Sequence, residues 1–511
     1  VYEDTNDARY VHPRLLQNVD PYSFHTGGTN NQRFRRDTKT WLGKFDLTGQ
    51  ATRTHQVKGG IEFRRHRVFF EDITVRPSLE QTDIDLAWDS PYIDPRILDV
   101  STTYHSTYTH HPIEFSAYIQ DKMEFKNFIV NLGVRVDYFD PDGVVLADES
   151  DPSIYNPIRP ENRYHDDNKN GVQDEGEPDV TLEEREAYWY KDAGSKINVS
   201  PRFGAAFPFM EGGVIHFSYG HFFQIPRFER LYQNPDFELE LGTGNQGVIG
   251  NADLKPEKTV SGEIGLQQQL TDDLALEVTA YFRDIRDLAG TRADEITIFG
   301  GSAKYSKIVN SDFGFVRGIV LALSRRFVGG YAVSLDYTYQ IAKASNSDPE
   351  AARNALAGGA LPEVQLTPLE WDQTHTVNAT FSYAGPDWGF SLIGQYGSGM
   401  PYTPRRSEDI TALLTNSQKK PFFLNADVRA YKDFNLGPSK VALFLRVYNI
   451  FDRLNEVNVY DDTGRGGFTT DQQRVENTNP VQLVNTVEDW FTNMTHFSEP
   501  RRIELGVTYS F

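Results

Sequence analysis

The chain has 511 residues and a net charge of −21, from 51 Lys and Arg against 72 Asp and Glu, and it contains no Cys. The missing cysteine excludes a disulfide scaffold, a Cys-ligated metal centre and a thiol nucleophile, and the acidity argues against a nucleic-acid binder, which needs a basic face. No run approaches the 18 apolar residues of a transmembrane helix, but a transmembrane β-barrel stays open, because its strands are only half apolar.

Apolar residues recur with period two along the chain. Val130, Leu132, Val134, Val136 and Tyr138 alternate with Asn131, Gly133, Arg135 and Asp137. Near the C-terminus Ile503, Leu505, Val507, Tyr509 and Phe511 alternate with Glu504, Gly506, Thr508 and Ser510. A strand separates two such sets onto opposite faces; a helix would mix them. The pattern predicts 15 strands, at roughly 38–51, 55–71, 112–126, 128–140, 198–209, 213–224, 257–270, 273–288, 304–327, 329–343, 372–384, 387–400, 420–435, 439–461 and 500–511. Short turns and long loops alternate between them, the long ones at roughly 72–111, 141–198, 226–257, 289–304, 344–371, 401–420 and 462–499. Up-and-down transmembrane barrels have this asymmetry, with short turns on the periplasmic side and long loops outside. Residues 1–37 then form an outer loop segment, and 38–511 the barrel portion. An odd strand count conflicts with the even number of single-chain bacterial barrels, so the chain reads as the C-terminal part of a larger one.

The polar set carries the charge. Arg135, Asp137, Glu277, Arg283, Asp427, Arg429 and Arg446 are candidates to line the lumen and meet a solute, with Glu263 and Glu504 beside them. The blander reading is that inward charge is the default of any barrel.

The loop at 141–197 holds the one sharp motif. Residues 166–177 match D-x-[DN]-x-[DN]-G-x5-E. Asp166, Asn168, Asn170, Val172 (through its carbonyl), Asp174 and Glu177 would supply oxygens to a calcium ion, with Gly171 at the sharp turn. The alternative is a solvated acidic loop of turn-forming residues. No good helix precedes the motif, so a paired sensor site is not expected. Thr181 and Glu184 predict a capping box for a short following helix. Residues 142–192 carry 15 acidic and 5 basic residues, so nearly half of the net charge sits around this motif.

The remaining candidates are weaker. His105, His110 and His111 lack metal-ligand spacing. The basic clusters Phe34-Arg35-Arg36 and Phe63-Arg64-Arg65-His66-Arg67 suit the lumen or anionic lipid rather than nucleic acid. No Gly-x-Ser-x-Gly elbow or phosphate-binding glycine loop occurs, and no constellation supports an enzyme. The loop aromatics Tyr155, Tyr164, Tyr188, Trp189, Phe228, Tyr232, Phe237, Trp490 and Phe491 either bind a ligand or pack the loops together, the second being favoured.

Several segments together resemble one family: His111 to Met123, Asn131 to Phe139, Ser200-Pro-Arg-Phe-Gly, Tyr219 to Pro226, Asn251 to Thr259, Val447-Tyr-Asn-Ile-Phe-Asp and the terminal strand. They resemble the barrel of TonB-dependent outer-membrane receptors, of the type with a carboxypeptidase-regulatory-like N-terminal domain, over most of 38–511. The resemblance implies a 22-stranded barrel with an N-terminal plug that contacts TonB. The chain matches the barrel part only, without a plug and about seven strands short. It also implies active uptake of a scarce solute in the bacterial outer membrane, with outer-membrane lipid as surroundings. Tyr509 and Phe511 resemble the signal read by the barrel-assembly machinery. Two other readings stay open: an anchor or scaffold for a surface lipoprotein or other complex subunits, and a soluble calcium-binding adhesin.

Overall fold

The computed structural model describes residues 22–24, 31–77, 95–237, 244–292, 295–298, 303–359, 362, 365–405, 415–478 and 485–511. Most of the segment expected at 1–37 lies outside the described residues.

The fold is an antiparallel up-and-down meander of 15 long strands. In chain order they are β1 Gln32–Gln50, β2 His55–Thr74, β3 Ile113–Glu124, β4 Ile129–Asp140, β5 Lys196–Met210, β6 Gly213–Gln224, β7 Glu257–Gln269 and β8 Leu274–Thr291. Then follow β9 Ala303–Val328, β10 Tyr331–Ala344, β11 His375–Ala384, β12 Trp388–Gly397, β13 Phe423–Leu436, β14 Ser439–Tyr448 and β15 Arg502–Ser510. Each pairs with the next in sequence, so the hydrogen-bond ladders of β2 to β14 are shared on both sides.

Side-chain direction follows the pairing register. Val134 faces Ile119 across β3 and β4, and Val136 faces Ala117. The apolar face they share stays exposed around the sheet, through Phe217, Ile264, Phe282, Ile319, Leu335, Leu443 and Leu505. An exposed apolar face of this extent requires a non-aqueous surrounding. The opposite face carries Arg135 and Asp137 on β4 and Asp427 and Arg429 on β13. The sequence therefore encodes a wall with one apolar side and one polar side, the arrangement of a transmembrane barrel.

The short turns use residues that accept a left-handed backbone. Gly329 (φ 64°) and Gly330 (φ 89°) alone connect Val328 to Tyr331, and only a turn with positive φ matches the twist of the two strands. The long connections all emerge at the other end and carry local structure. A short strand, His105–His110, continues the ladder of β2 above β3, inside a stretch expected to be loop. Strand Gly244–Ile249, within the connection expected to lack structure, pairs in parallel with the upper end of β9.

Two further boundaries differ from expectation. The first strand begins at Gln32 rather than at 38, because the polar run Gln32–Asp37 pairs in register with Phe69–Thr74. The strand expected at 439–461 ends at Tyr448. Asn449 (φ 52°) and Asp452 (φ 53°) turn the chain out of the sheet there. The Asn449 side chain holds the turn by donating to the carbonyls of Arg453 (2.9 Å) and Glu499 (3.1 Å). The apolar residues of that segment mark a turn packed on the wall, which periodicity alone cannot distinguish from a strand.

β1 and β15 each pair on one side only among the described residues. Above them the chain is linked: Asn485 donates to the Tyr22 carbonyl (3.0 Å) and accepts from the Phe24 amide (2.8 Å), and Phe24 packs against Trp490 (5.2 Å). If the apolar face meets hydrocarbon, Val134→Arg should lower stability by about 2–4 kcal/mol, with urea unfolding in detergent or lipid as the measurement. An equally polar change on the other face, Asn131→Lys, should leave the midpoint nearly unchanged.

Candidate functional site

The upper ends of β1 and β2 and the His105–His110 strand lie in register on the polar face. Phe34 stands opposite Asp72, Arg36 opposite Phe70, and Phe70 opposite Tyr108. Phe70 stacks on Tyr108 at 5.0 Å and meets Phe34 edge-on at 5.5 Å. Helix α1, Phe228–Tyr232, closes over them. Its Leu231 and Tyr232 are buried with Val68, Tyr108, Phe139, Leu254 and Ile308 in one apolar cluster, and Tyr232 stacks on His110 at 4.1 Å. Burying the helix in this way leaves a cleft of about 500 Å³ beside it, bounded by Phe34, Arg36, Asp72, His105, Glu229 and Asp236.

The cleft is charged but largely neutralised. Arg36 donates to Glu229 at 2.8 Å, Arg230 to Glu350 at 2.9 Å, and the Gln32 amide to both Asp72 oxygens at 3.0 and 2.9 Å. Burial pushes the Asp236 carboxyl up to about 6, against an opposing pull from His105. Aromatic walls with a few fixed polar groups are the usual make-up of a small-molecule site.

The loops that roof the cleft are tied to one another by asparagine and aspartate. Asn251 donates to the Ile308 carbonyl (3.0 Å), and Asn310 bridges the backbone of Lys255 in both directions (2.9 and 3.0 Å). Asp253 accepts from Lys196 at 2.6 Å and from the Gly194 amide at 3.1 Å. The Asn251–Thr259 segment is thus structural. A second cluster joins Leu146, Ile154, Trp189, Phe237, Ile249, Ile298 and Tyr305. Trp189 also donates to the Pro152 carbonyl at 3.2 Å. Of the loop aromatics, Tyr164, Trp189, Tyr232 and Phe237 are buried as packing.

The charged candidates all lie on the polar face but in separate sectors. Arg135 donates to Asp137 (2.7 Å) and Ser116 (2.8 Å) on the wall near β2, where His66 contacts Glu114 at 2.8 Å and Arg64 contacts Glu62 at 2.6 Å. Glu277 accepts from Thr279 at 3.3 Å, and Arg283 lies over Tyr281. Asp427 accepts from Asn425 (3.0 Å) and from the Asn449 amide (2.9 Å). Arg429 stands opposite Arg446, which reaches Glu504 at 3.5 Å. The structure does not gather these residues into one site. The cleft is instead built by Arg36, weighed above only within a basic cluster, by His105, weighed only as a metal ligand, and by Glu229 and Asp236, which sequence reasoning did not name. Its available signal was the alternation within Phe34-Arg35-Arg36, which sends residues 34 and 36 inward and 35 outward.

The acidic loop is ordered by its own motif. The Asp166 carboxylate accepts from the amides of Asn170 (3.0 Å) and Gly171 (2.8 Å), and Glu177 from those of Asp167 (3.0 Å) and Asp174 (2.9 Å). Gly171 adopts φ 77°. Asn168 and Asn170 both donate to Asp174, at 2.6 and 2.7 Å. The Asn168 and Asn170 side-chain oxygens accept from the amides of Asn170 (3.0 Å) and Val172 (2.8 Å), so the motif's polar side chains fold the loop around its own backbone. Among the described residues no group of three or more His, Cys, Asp or Glu is placed to hold a metal by itself, so amide and carbonyl oxygens would have to complete the shell. Helix α2, Leu182–Trp189, follows with the expected capping box: Thr181 accepts from the Glu184 amide, and Glu184 from the Thr181 amide. Those hydrogen bonds hold the Glu184 carboxyl below its ordinary range.

A family model described as TonB dependent receptor-like, beta-barrel, matches residues 2–450. No curated protein matches the sequence. Among solved structures the chain is similar to the copper transporter OprC, at 13% identity and a TM-score of 0.52, covering 94% of this chain and 57% of that one. It is similar to the ferric citrate transporter FecA at 12% and 0.51, covering 94% and 56%. The outer membrane transporter YddB from Escherichia coli gives 11% and 0.53, covering 83% and 52%. The chain thus spans little more than half the length of these proteins, and at such identities the likeness concerns the fold.

Asp236 gives a pH test. Its neutral form is favoured by burial, so its contribution to stability is complete below the usual carboxylate range and is lost as pH rises through about 6. Hydrogen exchange of residues 228–237, corrected for intrinsic rate, should slow on going from neutral pH to pH near 5. Asp236→Asn should remove that dependence.

Proposed function

The chain belongs to the TonB-dependent receptor-like β-barrel family, and from that premise we propose that it is the barrel portion of an outer-membrane receptor that takes up a scarce solute. The observation that carries this reading is the cleft on the polar face, walled by Phe34, Phe70 and Tyr108 and roofed by helix α1. In this reading the long loops face the cell exterior and the solute enters from that side. The cleft captures it, and the charged wall below gives it a polar path. Energy would come through TonB acting on a plug in the longer parent protein. The one-sided edges of β1 and β15 would be paired there too, because an open ladder cannot persist in hydrocarbon. The exposed Tyr509 and Phe511 side chains on the apolar face would serve recognition by the barrel-assembly machinery.

The expected outcome of deleting the gene is a growth defect confined to one limiting nutrient, tested on a panel that includes iron and copper. Collapsing the proton-motive force should abolish uptake of that nutrient, and Arg36→Ala with Asp236→Ala should weaken it. Normal growth on every nutrient, combined with loss of a surface protein complex, would replace transport by the scaffold reading.

We further propose that residues 166–177 bind calcium as a clamp for the outer loop, with Asp166, Asn168, Asn170, Asp174 and Glu177 as side-chain ligands and the Val172 carbonyl completing the set. Extracellular calcium modules commonly have dissociation constants of about 10⁻⁴–10⁻³ M. Chelation should raise protease cleavage within 141–196, calcium should reverse it, and Glu177→Ala should remove the response. Cleavage that is blind to both chelator and calcium would refute the clamp.

A further inference from the structure

The face of β1 and β2 that continues the apolar belt changes character abruptly towards the long-loop end. It carries Leu47, Phe45 and Trp41 on β1 and, on β2, which is paired on both sides, the exposed Ile61 and Phe63. Beyond them on the same face come Lys39, Arg35 and Arg33 on β1, and Arg65 and Arg67 on β2, all exposed. The register sets Lys39 directly opposite Arg67 and Trp41 opposite Arg65. Like charges directly opposed across a strand pair are destabilising. The guanidinium groups of Arg35 and Arg67 also converge on one ring, lying 5.3 and 5.7 Å from the centre of Phe69.

These five cations form no ion pair among the described residues. Two acids, Asp37 and Glu71, share the face, which leaves a surplus of three positive charges. Outward-facing cations at the short-turn end are matched by contrast: Arg325 pairs with Asp273 at 2.6 Å, and Lys432 pairs with Asp387. Among the described residues the positive surplus therefore lies at the long-loop end of the belt.

We propose that this patch holds the phosphate groups of lipid headgroups in the leaflet on the long-loop side. Its height decides the ligand: it adjoins the belt that contacts acyl chains, where a phosphorylated headgroup must lie. Arginine supplies paired donors that match phosphate geometry, and basic residues next to a membrane are attracted to anionic headgroups. Phe69 gives both guanidinium groups one ring to lie against, which keeps the two like charges side by side at the surface. The proposal rests on the reading of the chain as an outer-membrane barrel, and not on any transported solute.

The test uses the intact receptor in detergent, with diphosphoryl lipid A as the probe and retained lipid counted by native mass spectrometry. Arg35→Gln with Arg67→Gln should weaken retention by about tenfold, and adding Lys39→Gln and Arg65→Gln should weaken it further. Lys432→Gln should have no effect, and lipid A stripped of its phosphates should bind poorly to the wild type. Equal retention by the quadruple variant, or equal binding of the dephosphorylated lipid, would overturn the proposal. Displacement by millimolar inorganic phosphate would also overturn it, because the site would then select the free anion. Heat-modifiable gel mobility confirms that each variant is folded. No solute is involved, so a receptor that fails every uptake test still decides this question.

Discussion

The hydrogen-bonding demand of the backbone governs this molecule. A chain in hydrocarbon has no water to satisfy its N–H and C=O groups, so each strand must find them a partner in its neighbours. The meander from Gln32 to Ser510 meets this demand for β2 to β14 by pairing every strand with the next. Once the ladder is fixed, the two-residue period leaves each strand only two directions for its side chains. One is spent on the apolar surface of Leu132, Val134 and Val136. The other is free to carry Arg135 and Asp137. The polar lumen is a consequence of the same constraint that makes the outside apolar.

The long loops solve a different problem. They cannot rely on a continuous ladder, so they use buried aliphatic and aromatic clusters and a few asparagine and aspartate staples. Asn251, Asp253 and Asn310 each bond the backbone of a distant segment. Asp151 does the same in the acidic loop, accepting from the amides of Ile158 and Arg159 at 2.7 and 3.0 Å while almost fully buried. Such carboxylates trade desolvation for hydrogen bonds that fix loop shape. The cleft beside helix α1 depends on them, since Leu231 and Tyr232 pack only where the roof is held in place.

Charge is distributed by depth. The acidic excess concentrates around 166–177, the polar wall at β2 to β4 is ion-paired through Arg64, His66 and Arg135, and five cations without an ion pair among the described residues gather where the apolar belt of β1 and β2 ends. A net charge of −21 thus conceals a basic girdle segment. The two Arg of Phe34-Arg35-Arg36 have different tasks because they are neighbours in sequence: Arg36 pairs with Glu229 over the cleft, while Arg35 lies on the membrane side over Phe69.

Periodicity sufficed to establish the number of long strands, the alternation of turns and loops, and the faces of Arg135, Asp137, Asp427 and Arg429, because a strand's side-chain directions are a local property. The Thr181–Glu184 capping box was legible for the same reason: its partners lie within a few residues. The end of β14 at Tyr448 was not legible, because the turn is held by Asn449 bonding to Glu499, far along the chain. The His105–His110 and Gly244–Ile249 strands escaped as well, since each exists only through an upper strand end beside which the chain returns. The cleft was decided by tertiary structure alone. Arg36 and Glu229 are separated by most of two hundred residues, and no local pattern records that β1 and helix α1 meet.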